Sequence, residues 1–275
     1  MRGLAEYVMT GRRQAIIAVL LLGLFPLLNL LNPVMVGLVA LRKGWQEGVV
    51  IFAWALLPLG AWAMIGDVVP LIMLVGISAL ALLLRETESW EFTLLAAIAI
   101  GVCVEIYLRV QPAVMDVLMA QVESYLQNNN PQGLQIEEIR NAMVTVIGAV
   151  YMFLSLVLLM LARWMQAALY NPGGFKQEFH ALRVEQKVGL ILIAAMLLAS
   201  FGVLLPEAWV LYLVIPLLFS GIALVHAVVA IKNLSRMWLV AFYVLLMLPI
   251  TVQMLVLFAL VDSWYDFRSR LQGSA

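Results

Sequence analysis

Few side chains in this sequence are equipped for chemistry, and most of those stand inside long apolar runs. Glu105, Gln253, Asp262 and the Asn29/Asn32 pair are the clearest. An ionisable or amide group is expensive in hydrocarbon, so each demands a partner or a purpose. Together, Asn29, Asn32, Glu105, Gln253 and Asp262 would make a polar floor that hydrogen-bonds a small polar or amphipathic ligand between helices. The structural alternative pairs Glu105 with Arg109 one helical turn later and uses the amides to cap or join helices. His226 lies six residues before Lys232, with no second His, Asp or Glu on its span. It reads as a helix–helix hydrogen-bonding residue or a gating group, and not as a metal ligand. Asp262, Asp266 and Arg268 read as a local ion pair closing the last helix, with ligand entry or ion coordination as the alternative.

The chain shows no Ser/His/Asp triad, H-E-x-x-H, phosphate loop or His/Cys cluster, so no enzyme activity, metal or cofactor is expected. Cys103 is the single cysteine and sits in an apolar run, where packing accounts for it. A net charge of zero gives no footprint for nucleic acid.

These residues must be positioned by membrane helices. Hydrophobic residues make up 65% and charged residues 12% of the 275, and the charged share is about half that of soluble domains. Apolar segments able to cross a ~30 Å core fall at 48–65, 68–84, 91–108, 142–163, 188–205, 208–231 and 237–261. Pro26, Asn29, Asn32 and Pro33 interrupt 14–41, which reads as a helical hairpin of two short limbs. The expected fold is an all-α polytopic transmembrane bundle forming one membrane domain over 1–275, with about seven full spans plus the N-terminal hairpin. With the N-terminus inside, most Lys and Arg fall on the cytoplasmic side. Arg109, Arg140, Arg268 and Arg270 then fall outside.

Two polar interruptions remain. In 111–141, Val114, Val117, Leu118, Val122, Tyr125 and Leu126 recur at helical spacing before the breaker run Asn128–Gly133. This predicts an amphipathic helix on the outer surface, either a connector or a lid hinged at Pro112 and Gly133. In 164–187, Asn171-Pro172-Gly173-Gly174 predicts a tight turn. A short helix follows, with Phe175, Phe179 and Leu182 on one face and Lys176, Glu178 and Arg183 toward water or headgroups. It reads as an interfacial anchor, or as a surface on which Asn171, Pro172, Gly173, Gly174, Phe175, Glu178, Phe179 and Arg183 dock a cytoplasmic or membrane partner.

The run Trp164 to Arg183, the stretch Phe219 to His226, the closing Leu260 to Arg268 and the hairpin ending in Arg42-Lys43-Gly44 together resemble the YybS-like bacterial membrane proteins, over nearly the whole chain. That resemblance implies a multi-pass protein of the bacterial inner membrane. The family looks distantly like the substrate-binding S-components of energy-coupling-factor transporters, which implies small-solute binding and a coupling membrane protein as partner. S-components carry a small-xxx-small face on the first helix, where this chain has only Ala15 and Ala18, spaced by three. Two functions are therefore expected as alternatives. One is small-solute binding or transport, with an unidentified ligand. The other is a membrane scaffold or assembly factor acting through the 171–183 loop.

Overall fold

The computed structural model describes residues 1–129 and 136–273, and the side chains of all of these except 123–129 and 272–273. In chain order the helices are α1 (Arg2–Met9), α2 (Arg12–Leu24), α3 (Asn32–Lys43), α4 (Trp45–Met64), α5 (Val69–Thr87), α6 (Trp90–Ala96), α7 (Ile98–Val110) and α8 (Pro112–Asn129). They continue as α9 (Ile136–Tyr170), α10 (Gly174–Ala181), α11 (Gln186–Ser200), α12 (Val210–Ile231), α13 (Met237–Leu245), α14 (Pro249–Tyr265) and α15 (Phe267–Gly273). All regular structure among the described residues is helical.

The chain packs as two compact units, Met1–Thr87 with Ala96–Leu169, and Glu88–Leu95 with Tyr170–Ala275. In the first, α2 and α3 lie either side of a turn at Phe25–Leu31, where Pro26 interrupts the helix and Asn29–Leu31 forms a single 3-10 turn. Helix α3 is buried from Asn32 to Leu41 and packs on both α4 and α5. Its last turn carries Arg42 and Lys43, favourable at the negative end of a helix dipole. The second unit is built around α12, which contacts α10, α11, α14 and α15.

Among the described residues, five helices are long and apolar enough to cross a membrane: Trp45–Met64, Val69–Thr87, Trp90–Val110, Ile136–Tyr170 and Glu207–Ile231. The segment Met237–Tyr265 makes a sixth only if its two limbs count as one span. Large apolar side chains such as Val75, Ile106, Val150 and Val157 stay exposed along these helices, a pattern that suits lipid rather than water. A bilayer location is what this set of helices supports.

Seven full spans were expected, and two of them differ. The helix that covers the 188–205 segment, α11, starts at Gln186, ends at Ser200 and has 15 residues, about 22 Å at 1.5 Å per residue and short of a ~30 Å core. The 237–261 segment is broken, with α13 and α14 meeting at 112°. Leu248 is extended just before Pro249, which begins α14, as expected for a residue preceding proline. The 164–187 loop is also shorter than expected, because α9 runs through Trp164 to Tyr170. Nothing in Trp-Met-Gln-Ala-Ala-Leu-Tyr stops a helix, and the first breaker is Asn171-Pro172.

Candidate functional site

The polar residues singled out in the sequence separate into distinct settings. In the first unit Asn32 is fully buried and its Nδ2 donates to the Val19 carbonyl at 2.6 Å, joining α3 to α2. Asn29 is buried in the turn beside it. Trp62 Nε1 adds a bond to the Gly23 carbonyl at 2.9 Å. Glu105 is buried, and Arg109 reaches back to it from Nε at 3.0 Å and Nη2 at 2.8 Å. Arg109 Nη1 donates to Asn141 Oδ1 at 2.9 Å, which ties α7 to the start of α9. These are the pairings that the structural alternative anticipated.

Next to them lies a cavity of about 890 Å³, roofed by α8. Ala113, Val114, Val117 and Leu118 of α8 face Ile147, Val150 and Leu154 of α9 across it. The polar groups on its wall are Asp67, Tyr107, Gln111 and Tyr151. Leu30 of the Asn29–Leu31 turn lines it in place of the asparagines, and Tyr107 and Leu108 line it in place of Glu105. The cavity beneath α8 is therefore lined by neighbours of Asn29 and Glu105 and not by those residues themselves.

Helix α8 holds its place through Met115 and Met119, outside the expected stripe, together with Val122 from within it. Met115 and Met119 are buried with Val104, Leu108 and Val144, and Val122 packs against them. Val114, Val117 and Leu118 stay exposed and turn to the cavity. Spacing identified one apolar stripe of this helix, and packing added a second through Met115 and Met119. Tyr125, Leu126 and Gly133 lie outside the described side chains and residues.

Asp67 sits in the turn between α4 and α5, just after Gly66, whose φ is +101°. Tyr107 donates its hydroxyl proton to the Gly66 carbonyl, fixing this turn against α7. Burial pushes the Asp67 carboxyl above the usual Asp range, and a hydrogen bond from the Val69 N–H opposes the shift. No pattern in the sequence marked Tyr107, Gln111 or Tyr151; the one signal for Asp67 was a Gly-Asp pair between two spans.

The second unit holds the rest. The turn Asn171–Gly174 is closed by Gly174 N–H to Asn171 O at 2.9 Å, with Gly173 at φ +90°, where an L side chain would be strained. Asn171, Pro172 and Gly173 are exposed, Gly174 is buried and Glu178 is half-buried. Phe175 and Phe179 stack at 6.0 Å, and Phe175 meets Trp90 edge-on at 6.3 Å. Phe179 is edge-on to His226 at 5.4 Å. His226 Nε2 and the Tyr243 hydroxyl are hydrogen-bonded at 2.8 Å, linking α12 to α13.

Asp262 belongs to an ion pair inside the second unit. It is fully buried against Arg268, and it also accepts from Phe267 N–H at 2.9 Å. Arg268 in turn donates from Nη2 to the Leu182 carbonyl at 2.8 Å. Arg183 pairs with Asp266 at 2.8 Å. The C-terminal segment therefore meets the 171–187 segment, so the two cannot lie on opposite membrane faces as expected. The 112° bend before Pro249 is the cause, because it brings α14 back beside α12. Arg268 and Arg183 then share one end of the unit. Gln253 is exposed on α14, nine residues before Asp262, or about 13 Å along the helix, too far to share a small site.

No family model, curated protein or solved structure matches this chain. The site is therefore read from its own geometry. Among the described residues no group of three or more His, Cys, Asp or Glu could hold a metal ion.

His180 gives a pH test. Burial lowers its pKa, and Lys176, His226 and Arg268 add to the shift. A depressed imidazole means that the unfolded chain takes up the proton more readily. Stability is then full above the unfolded value near ~6.5 and falls as pH drops toward the folded value. The unfolding midpoint in detergent should decline between pH 7.5 and 5.5, and His180→Gln should flatten that decline. An identical pH slope in both proteins would show that His180 does not contribute.

Proposed function

We propose that this integral membrane protein binds a small amphipathic solute in the groove beneath α8, as the capture or transport component for that solute. The observation that carries the reading is the cavity of about 890 Å³ with a long apolar wall and Asp67, Tyr107, Gln111 and Tyr151 as its polar groups. Its volume falls in the ~300–1,000 Å³ range of small-molecule sites. The apolar wall suits a hydrocarbon portion of the solute, and the carboxyl, amide and phenols suit a polar portion. Energy for transport would come from a partner or an ion gradient, with a coupling membrane protein as the expected partner. Kinship with the YybS-like proteins, and a bacterial inner-membrane location with the N-terminus inside, belong to the same proposal.

Native mass spectrometry of the gently released, detergent-purified protein tests it. Wild type should carry a reproducible small-molecule adduct. Val117→Trp, which fills the groove from an exposed position on α8, should reduce retention at least about tenfold, or ~1.4 kcal/mol. Asp67→Asn should weaken retention with the thermal midpoint unchanged or higher, because a partly desolvated carboxylate is removed. Absence of an adduct, together with a co-purifying protein lost in Phe179→Ala, would instead favour a scaffold acting through the 171–183 segment.

A further inference from the structure

A second cavity, of about 620 Å³, lies within the second unit, where α10 and the Ala181–Glu185 connection meet α12 and α15. Gln177, His180, Arg183, Glu185, Asp266 and Arg268 supply its charged and strongly polar wall. We propose that this cavity binds a phosphate-type oxyanion through Arg268, His180 and Gln177.

Arg268 carries the argument. It is only 8% exposed, and two of its three nitrogens are engaged: Nη1 with Asp262, and Nη2 with the Leu182 carbonyl at 2.8 Å and the Ser220 carbonyl at 3.5 Å. Its Nε is buried without a hydrogen-bond partner. A donor on a buried cation left unmet is costly, and an acceptor is the expected remedy. Asp266, one of the two carboxylates in the wall, is committed to other partners. Asp266 holds Arg183 at 2.8 Å and accepts from Ser269 N–H at 3.3 Å. Glu185 stands just before α11, and its backbone N–H donates to the Glu91 carboxylate at 2.6 Å. Lys176, His226 and Arg268 all act to lower the His180 pKa, while Asp262 and Asp266 act on Arg268 itself. Planar guanidinium groups favour phosphate and carboxylate oxygens, and Arg268, His180 and Gln177 supply donors for such an anion.

The phosphate can belong to an anionic lipid headgroup or to a soluble phosphate, and the test separates the two. Because removing Arg268 strands Asp262, the variant used is Gln177→Glu, which places a negative charge at an exposed position on the cavity wall. Full-length protein in detergent is given phosphatidylglycerol or phosphatidylcholine and read by native mass spectrometry, and inorganic phosphate is titrated calorimetrically. Wild type should retain phosphatidylglycerol over phosphatidylcholine at least about fivefold, and Gln177→Glu should lose about tenfold at an unchanged thermal midpoint. Binding of inorganic phosphate without lipid preference, also lost in Gln177→Glu, would support the same site with a soluble ligand. Failure of wild type to bind either probe, or equal binding by the variant, would overturn the proposal. The α8 groove is not involved, so its own test can fail or succeed independently.

Discussion

Arg268→Met is expected to lower the unfolding free energy by about 3–5 kcal/mol, because it strands a carboxylate that has no exposure to solvent. Asp262 is 0% exposed, and its side chain accepts from Arg268 and from the Phe267 N–H. The same substitution removes the bond to the Leu182 carbonyl, so α15 loses its tie to the chain entering α11. Chemical unfolding in detergent would measure the loss. The double variant Asp262→Leu/Arg268→Met should recover much of it, since a buried ion pair replaced whole by apolar side chains is often neutral. A single-variant loss under about 1 kcal/mol would mean that water reaches this pair.

Gly221→Val is the second large effect, an expected destabilisation of about 3 kcal/mol or more through overpacking. A Cβ at Gly221 would stand 2.6 Å from Leu255 Cγ and 2.8 Å from the Leu255 carbonyl oxygen. The side-chain atom can move. The carbonyl belongs to α14 and cannot, so α12 and α14 must separate. Gly60→Ala is the control: its Cβ would meet nothing within 4 Å, and helix propensity favours alanine there by up to ~1 kcal/mol. Equal midpoints for Gly221→Val and wild type would show that these two helices are not in close contact.

Both effects arise where the chain returns on itself, and this is the part of the molecule that sequence reasoning placed wrongly. A predominantly apolar run of 25 residues from Met237 to Val261 satisfies the length rule for a span. Pro249 inside that run was compatible with either a kink or a reversal, because apolar spans tolerate proline, as α4 does at Pro58 and α12 at Pro216. Only packing against α12 distinguishes these outcomes. The bend sets Asp262 beside Arg268, which also reaches the Leu182 carbonyl.

The sequence by itself determined the helical class, the apolar helices, the Asn171–Gly174 turn and the short amphipathic helix after it. Each of these follows from local rules: hydropathy over a ~20-residue window, prolines and glycines that stop helices, and apolar spacing near 3.6. It also named the Glu105–Arg109 pair, which spacing of one helical turn dictates. The tertiary structure decided which stripe of α8 is buried, which side Asp262 faces and which groups line the two cavities. Asp67, Tyr107, Gln111 and Tyr151 come from three separate stretches of chain and share no sequence pattern. Their meeting depends on helices packing at a distance in sequence, where side-chain fit, and not local preference, selects among arrangements of similar hydrophobicity.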